Sequence, residues 1–321
     1  MSSTDLEIPA LGYGAANVGN LFRELSDDEA WAVLEAAWDA GIRYFDTAPH
    51  YGLGLSERRL GAFLQTKPRD EFVLSTKAGR LLRPNPAHQP GGLDTANDFH
   101  VPDDLHRVWD FTEAGIRASI AESQERLGIE RIDLLYLHDP ERHDLELALE
   151  EAFPALEAIR AEGVVTTIGV GSMLSDALAR SVLEADLDLI MVAGRYTLLE
   201  QPAAVDVLPA CAERGTGIVA ASVFNSGLLA QSEPRRDGRY EYGQLPEDLW
   251  QRLVRIAAVC AAHDVPLPAA AIQFPLRSDV VRSVVVGGSR PAQLRQNAEY
   301  AALEIPAQLW ADLADEGLIP A

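Results

Sequence analysis

The sequence has few cysteines and no long apolar run. Its two cysteines, Cys211 and Cys260, cannot build a disulfide framework, so we expect small core residues in a reducing compartment. No apolar run approaches the roughly 18 residues of a membrane span. Residues 1–8 are polar and acidic and lack the basic and apolar regions of a signal peptide. These absences predict a soluble, cytoplasmic protein.

Positive charge is scarce as well. The 321 residues include 27 Lys and Arg against 49 Asp and Glu, which gives a formal net charge of −22. This balance argues against nucleic acid as a partner, because phosphate binding needs a cationic surface, and against a polybasic membrane anchor. An anionic ligand therefore needs a local patch of donors. The hydrophobic fraction of 47% is enough for a large core and excludes global disorder.

Short apolar strands alternate with amphipathic helices along the whole chain. Strands that are apolar throughout are typical of a parallel sheet covered on its faces. About eight such units predict a single α/β domain over residues 1–321, a (β/α)₈ TIM barrel. An open doubly wound sheet is the alternative, although no glycine fingerprint follows the first strand. The strands are predicted at 8–13, 42–47, 72–77, 132–138, 165–170, 187–192, 217–223 and 281–286.

The helices have recognisable ends. Ser26 and Glu29 form a capping box before the first helix, which Gly41 is expected to stop. Further helices are predicted at 56–64, 112–127, 175–184, 205–214, 246–263 and 291–303.

Two long segments interrupt this alternation. Residues 80–110 are rich in Pro, Gly, Asn, Asp and His and follow a strand, at the end of a barrel where active sites are built. They are predicted to form an active-site loop. Residues 225–245, with the mixed-charge tip EPRRDGRYEYG, are predicted to form a mobile loop.

Three predicted strands end in polar residues: Asp46, Lys77 and His138. Tyr51 follows Asp46 in the loop DTAPHYG. A carboxylate keeps a neighbouring lysine charged, and a charged lysine lowers the pKa of a nearby phenol, which can then exchange a proton with a carbonyl or hydroxyl near neutral pH. A histidine can orient the same oxygen. A single residue of this kind is usually a charged group at the edge of the barrel or a polar side chain at the edge of the core. Together, and without a strong nucleophile, they favour hydride transfer with a cofactor.

Four segments resemble signature segments of the aldo-keto reductase superfamily: DTAPHYGLGLSE (46–57), STKAG (75–79), LLYLHDP (134–140) and VVVGGSRPAQLRQN (284–297). The resemblance runs from GYGAANVG (12–19) to the last barrel helix. It implies a (β/α)₈ barrel that binds a nicotinamide cofactor without a Rossmann fold. It also implies a catalytic tetrad, with Tyr51 as general acid and base, Lys77 tuning it, Asp46 supporting Lys77, and His138 orienting substrate.

A narrower resemblance is to the bacterial aldose 1-dehydrogenases, through residues 79–84, 108–141 and 193–201. That branch includes D-threo-aldose and L-fucose dehydrogenases and a pyridoxal 4-dehydrogenase. The resemblance implies a small sugar or aldehyde substrate and oxidation of a hemiacetal to a lactone, with pyridoxal oxidation and general aldehyde reduction as alternatives. A non-enzymatic nicotinamide-binding regulator, like potassium-channel β-subunits, and a metal-dependent hydrolase or an aldolase remain open. The oligomeric state is not predicted.

The resemblance also implies a cofactor site, mostly in the second half of the chain. Two positions depart from the family pattern: Ala193 replaces a carboxamide-binding glutamine, and Ala221 replaces a stacking aromatic residue. Arg290 and Arg295 favour NADP, through its 2′-phosphate, with use of both NADP and NAD expected. The implied cofactor residues are Gly14, Ser172 for the carboxamide, Ser222, Phe224, Asn225 and Gly227 for the pyrophosphate, Gly288, Ser289 and Arg290 before a helix N-terminus, and Gln293, Gln296 and Asn297 beside adenine.

Two further features are predicted to lie near the catalytic end of the barrel. The segment 138–144, HDPERHD, has metal-ligand residue types at short spacing. Pro140 bends the chain, however, and the acids are expected to cap the next helix, so no metal site is predicted. His50 and Trp109 are expected to line the substrate pocket, with packing at the rim as the alternative.

Overall fold

Eight parallel strands close into a barrel at the centre of the molecule. The computed structural model describes residues 6–241 and 243–320. The strands of the barrel are β1 (Leu11–Gly14), β2 (Tyr44–Asp46), β3 (Val73–Ala78), β6 (Ile132–His138), β7 (Val165–Ser172), β8 (Leu189–Ala193), β9 (Gly217–Ala221) and β12 (Val281–Val286). They follow one another around the barrel in this order, and β12 pairs with β1, so the predicted (β/α)₈ fold is confirmed.

The helices surround this barrel, and the first of them begins where its capping box predicts. Ser26 Oγ accepts a hydrogen bond from the Glu29 amide, and a Glu29 carboxylate oxygen accepts one from the Ser26 amide. This is the predicted capping box. The helices are α1 (Asp27–Asp39), α2 (Leu55–Leu64), α3 (Glu113–Leu127), α4 (Leu145–Leu147), α5 (Phe153–Ala161), α6 (Ser175–Glu184), α7 (Val207–Arg214), α8 (Glu247–Ala262), α9 (Leu267–Gln273), α10 (Pro291–Ala302) and α11 (Ala307–Asp315).

The periodicity of apolar residues located the barrel strands and most of the helices, but it missed a few helices. The predictions 132–138, 175–184 and 281–286 coincide residue for residue with β6, α6 and β12. The missed helix α9 has the sequence LPAAAIQ and is buried at nearly every position. A helix that is apolar on all sides shows no 3.6-residue alternation of polar and apolar residues, so periodicity does not reveal it.

Residues 80–110 are more ordered than the predicted active-site loop. They contain a β-hairpin in which β4 (Arg80–Pro84) pairs antiparallel with β5 (Leu105–Trp109). An isolated bridge also joins Leu21 to Phe99, and another joins Leu93 to Pro102. Gly, Pro, Asn and Asp in the connecting residues hid the two short strands. The hairpin rises from the end of β3 and brings residues of the segment 93–109 over the barrel mouth.

Residues 225–245 contain a second small strand pair. Here β10 (Arg239–Tyr240) pairs antiparallel with β11 (Gly243–Gln244). The Tyr240 hydroxyl donates a hydrogen bond of 2.7 Å to Glu200, which also accepts one of 2.9 Å from Asn225 Nδ2. The segment is therefore tied to the residues after β8. Its mobility stays a prediction.

The core forms both inside and outside the barrel. Bulky side chains fill the interior, among them Tyr44, Leu134, Tyr136 and Met191. A larger layer lies between the strands and the outer helices and includes both cysteines, which are buried and free. The predicted role of the cysteines as small core residues is confirmed.

Within the described residues, no single helix is long and apolar enough to cross a membrane. The bent pair of α8 and α9 passes that test only by length and composition, with 102° between its halves. Most of α9 is buried within this structure.

A buried ionic cluster fixes α2 and α3 against the outside of β3. Glu57 on α2 is completely buried. One of its carboxylate oxygens accepts a hydrogen bond of 2.7 Å from Thr76 Oγ1, and the other accepts one of 2.5 Å from Arg126 Nε. Because side chains alternate along a barrel strand, Thr76 faces the helices while Lys77 faces the interior. The cluster therefore supports the strand that carries Lys77.

We expect Glu57→Ala to lower the free energy of unfolding by about 3–5 kcal/mol, because it leaves a largely buried arginine without its partner. The measurement is the urea denaturation midpoint, with Glu35→Ala on the exposed face of α1 as the matched control. The control is expected to change stability by less than about 0.5 kcal/mol. Equal effects of the two variants would contradict a role for this cluster.

Candidate active site

The barrel brings the four predicted catalytic residues to one mouth. Asp46 is the last residue of β2, Lys77 lies one residue before the end of β3, and His138 is the last residue of β6. These three strands are neighbours in the sheet. Tyr51 lies in the turn after β2, where its amide donates to the carbonyl of Ala48. Parallel strands all end on the same side of a barrel, so consecutive strand ends converge.

Lys77 is buried and its ammonium group has defined partners. Its Nζ donates hydrogen bonds to Asp46 Oδ2 at 2.6 Å and to the Thr47 carbonyl at 2.9 Å. The other Asp46 oxygen accepts a hydrogen bond of 2.7 Å from Ser75 Oγ. Burial lowers the pKa of Lys77, but Asp46 and Tyr51 outweigh it, and the net pKa is raised. The lysine is therefore charged, and the third of its three N–H donors remains for another group.

The Tyr51 ring lies beside this ammonium group. Lys77 Nζ lies 4.7 Å from the centroid of the Tyr51 ring, and the ring of His138 stands perpendicular to the Tyr51 ring at 5.9 Å between centroids. Burial raises the pKa of Tyr51, and Lys77 opposes this without reversing it. The sequence-based expectation of a lowered pKa is therefore wrong in its net direction, because it left out the cost of a phenolate in an enclosed site. Tyr51 is a protonated acid at neutral pH.

His138 contributes an uncharged imidazole. Burial, followed by repulsion from Arg80 and Lys77, lowers its pKa well below the usual value. Arg80 donates a hydrogen bond of 2.5 Å to Asp139, whose carboxylate lies 3.7 Å from His138 Nε2. A neutral ring between two cations can orient an oxygen atom by hydrogen bonding without adding charge to the site.

The two predicted pocket residues occupy different environments. His50 packs directly against the tetrad, with its ring centroid 5.5 Å from that of His138. Trp109 instead stacks on His143 at 5.4 Å, with 5° between the planes, and Arg80 lies 4.3 Å from its ring. This is the packing at the rim that the sequence left open as an alternative. A role for Trp109 in lining the pocket stays a prediction.

Two residues at the mouth escaped the sequence-based predictions. Phe99 stacks on Tyr51 at 6.2 Å and is almost fully buried. Glu141 accepts a hydrogen bond of 2.6 Å from Ser172 Oγ, and burial raises the Glu141 pKa. Phe99 stands in a segment without strand or helix periodicity, so nothing in the local pattern marked it. Ser172 and Glu141 are 31 residues apart, and only the neighbouring ends of β6 and β7 bring them together.

The expected pyrophosphate residues lie in the turn after β9. Ser222 and Asn225 have φ angles of 55° and 45°, in the left-handed region that a non-glycine residue adopts at a cost. Ser222 and Gly227 are exposed, Phe224 is partly exposed, and Asn225 is buried. Asn225 Oδ1 is enclosed and has no hydrogen-bond partner among the described residues. An enclosed acceptor in a strained turn fits a site that a bound ligand completes.

The expected phosphate and adenine residues lie around the start of α10. The Ser289 amide donates a hydrogen bond to Gln293 Oε1, and Asn297 Nδ2 donates one to the Gly287 carbonyl. Arg290 and Gln296 are exposed. Arg23 Nη2 donates a hydrogen bond of 2.9 Å to the Ser289 carbonyl, and Tyr13 OH donates one of 2.9 Å to the Gly288 carbonyl.

These residues fit a nicotinamide dinucleotide. Arg23 and Arg290 at the N-terminus of α10 form a local cationic patch on a strongly acidic chain, which suits phosphate groups. Gly14 ends β1 and is paired in register with Asp46, so it lies at the same mouth. When bound, such a cofactor supplies the hydride donor or acceptor of the reaction.

The acidic residues after β6 have structural roles. Asp139 pairs with Arg80, and Asp144 Oδ1 accepts a hydrogen bond of 3.0 Å from the Leu147 amide at the start of α4. This capping was predicted. In the part of the chain that the structure describes, no group of three or more His, Cys, Asp or Glu residues is arranged to hold a metal ion.

Comparison with known proteins identifies the family. The model of the Aldo/keto reductase family matches residues 10–315. The chain belongs to this family. This aldo/keto reductase is therefore an oxidoreductase, and its family uses nicotinamide cofactors.

Two relatives align over nearly their whole length. D-threo-aldose 1-dehydrogenase of a Pseudomonas species is 83% identical over 327 aligned positions, covering 100% of this chain and 99% of the relative. Pyridoxal 4-dehydrogenase of Microbacterium luteolum is 40% identical, covering 99% of this chain and 97% of the relative. An aldo-keto reductase of Bacillus halodurans, solved in its holo form, has a TM-score of 0.77 at 22% identity, covering 98% of this chain and 94% of that one. That structure supports the fold of this aldo/keto reductase.

Proposed function

We propose that this aldo/keto reductase is an aldose 1-dehydrogenase, which oxidises the C1 hemiacetal of a sugar to a lactone. The observation that carries the proposal is the 83% identity to D-threo-aldose 1-dehydrogenase over the whole chain. The site supports it, because Tyr51 and His138 are both uncharged. Two buried cations lie beside them, and each is paired with a carboxylate: Lys77 with Asp46 and Arg80 with Asp139. A neutral polyol suits such a site better than a carboxylate does.

The residues of the tetrad have different roles in the proposed reaction. In oxidation, a bound oxidised nicotinamide would accept the hydrogen on C1 as a hydride. The Tyr51 phenolate takes the hydroxyl proton, and the C1–O bond becomes the lactone carbonyl. His138 holds the same oxygen, and Lys77 stabilises the phenolate. In reduction, the protonated Tyr51 returns the proton to the carbonyl oxygen.

The test is a panel of L-fucose, D-arabinose, L-galactose, pyridoxal and simple aldehydes, followed at 340 nm with both cofactors. The proposal predicts the highest kcat/KM for one of the three sugars. A preference for pyridoxal would favour the second candidate, which the 40% identity to pyridoxal 4-dehydrogenase supports. Nucleotide binding without turnover of any compound would instead favour a regulatory role.

For the cofactor, we propose use of both NADP and NAD with a preference for NADP. Arg290 and Arg295 are exposed around the start of α10 and are available to pair with a 2′-phosphate. We expect Arg290→Ala to lower kcat/KM with NADP about 10-fold relative to NAD, since one charge-assisted hydrogen bond contributes about 1.5 kcal/mol. Steady-state kinetics with both cofactors measure the ratio. The matched control is Arg282→Ala, at an exposed position of β12. An unchanged ratio in Arg290→Ala would contradict the proposed clamp.

We also propose a cytoplasmic location. Cys211 and Cys260 are both buried and free, which is typical of proteins in a reducing compartment.

A further inference from the structure

His50 occupies a central position at the barrel mouth. Its ring centroid lies 5.5 Å from that of His138, 6.1 Å from that of Tyr51 and 5.5 Å from that of Phe99. Burial, followed by repulsion from Arg107 and Arg80, lowers its pKa well below the usual value. The ring is therefore neutral and carries a single proton on one of its two nitrogens.

The surroundings of the two ring nitrogens decide where that proton lies. Nδ1 of His50 is enclosed by protein and has no hydrogen-bond partner within the described part of the chain. An enclosed N–H group without an acceptor is costly and rare in folded proteins. The tautomer with the proton on Nε2 avoids that cost. Since the residue as a whole is partly exposed, Nε2–H is the donor that the ring can offer to a ligand.

The hairpin holds His50 in place through its main chain. Arg107 on β5 donates a hydrogen bond of 2.8 Å to the His50 carbonyl and two hydrogen bonds, of 2.8 and 2.5 Å, to the carboxylate of Asp94. Asp94 is buried, and its own carbonyl accepts a hydrogen bond of 3.2 Å from the Phe99 amide. Arg107 thus links His50 to the segment that packs over the site. The ring itself is packed against three other rings, so it loses little side-chain entropy when a ligand binds.

We propose that Nε2–H of His50 donates a hydrogen bond to the substrate hydroxyl adjacent to the reacting carbon, and so selects 2-hydroxylated substrates. The inference rests on the proposed function, in which Tyr51 and His138 hold the oxygen on C1. The two oxygens of a vicinal diol lie closer together than the rings of His50 and His138 do. A donor beside the tetrad can therefore reach the C2 hydroxyl while the C1 oxygen is held.

The experiment compares D-arabinose with 2-deoxy-D-ribose, which is its 2-deoxy form. The quantity measured is the ratio of kcat/KM values for the two sugars. We expect wild-type enzyme to prefer D-arabinose and His50→Phe, which keeps an aromatic ring but no donor, to lower the ratio roughly 10-fold. His50→Gln places an amide at the position of Nε2 and is expected to keep most of the preference. His50→Asn places its amide at the position of Nδ1 and is expected to behave like His50→Phe.

The outcomes separate this inference from the proposed function. Equal losses on both sugars in His50→Phe, with an unchanged ratio, would show that His50 only forms a wall. A preference retained by His50→Asn and lost by His50→Gln would also overturn the assignment to Nε2. Wild-type enzyme that oxidises none of L-fucose, D-arabinose and L-galactose would overturn the proposed function itself, and the inference with it. The Tm and the Kd for NADPH verify that each variant is folded, and if His50→Phe is not, the other two variants decide.

Discussion

Tyr51→Phe is expected to lower kcat on the order of 10³-fold, within the range that general acid–base catalysis contributes. The substitution removes only the hydroxyl, so the stacking of the ring on Phe99 and its packing near Lys77 remain. The Kd for NADPH is therefore expected to stay within about 2-fold of the wild-type value. Steady-state rates at 340 nm and fluorescence titration with NADPH measure the two quantities.

The matched control is Tyr300→Phe, near the C-terminal end of α10 and away from the mouth. This control is expected to retain the wild-type rate. If Tyr51→Phe also retains it, Tyr51 is not the acid and base of the reaction.

The pH dependence of the wild-type enzyme follows from the raised pKa of Tyr51. Reduction needs the protonated phenol, so its rate is expected to hold through neutral pH and to fall only in the alkaline range. Oxidation needs the phenolate, so its rate is expected to rise with pH over the same range. In Tyr51→Phe, both dependences are expected to disappear.

The second large effect is expected from Lys77→Met. The ammonium group stabilises the Tyr51 phenolate and so opposes the rise in the Tyr51 pKa. Its loss is therefore expected to lower kcat at least about 10²-fold. The variant also leaves the Asp46 carboxylate buried with Ser75 as its remaining side-chain donor. Loss of one partner of a buried ion pair costs about 3–5 kcal/mol of stability. Initial rates and urea denaturation measure the two effects.

A double variant separates the two roles of Lys77. Lys77→Met combined with Asp46→Asn removes the uncompensated charge, so we expect it to recover most of the lost stability while kcat remains low. If the double variant regains the rate as well, Lys77 matters only through the stability of the fold. If Lys77→Met alone keeps kcat within about 3-fold of wild type, the proposed tuning of Tyr51 is wrong.

The fold was predictable wherever one local pattern is sufficient. β6 is apolar throughout and ends in a polar residue, and the capping box at Ser26 marks the first residue of a helix directly. The hairpin at residues 80–110 was not predictable, because its strands are five residues long and every pair of partners lies at least 21 residues apart in the sequence. Helix α9 was missed since it is buried on all sides and carries no periodic signal.

For the site, the sequence by itself determined which residue types end the barrel strands and which of them are titratable. Asp46, Lys77 and His138 lie at or next to the ends of successive barrel strands, and the carboxyl ends of all strands in a (β/α)₈ barrel meet at one mouth. Only the tertiary structure decided the sign of the Tyr51 pKa shift, the pairing of Ser172 with Glu141, and the contact from Arg107 to His50. Each of these depends on burial or on contacts between segments that are far apart in the sequence. Such burial and contacts form only when the chain folds around the site.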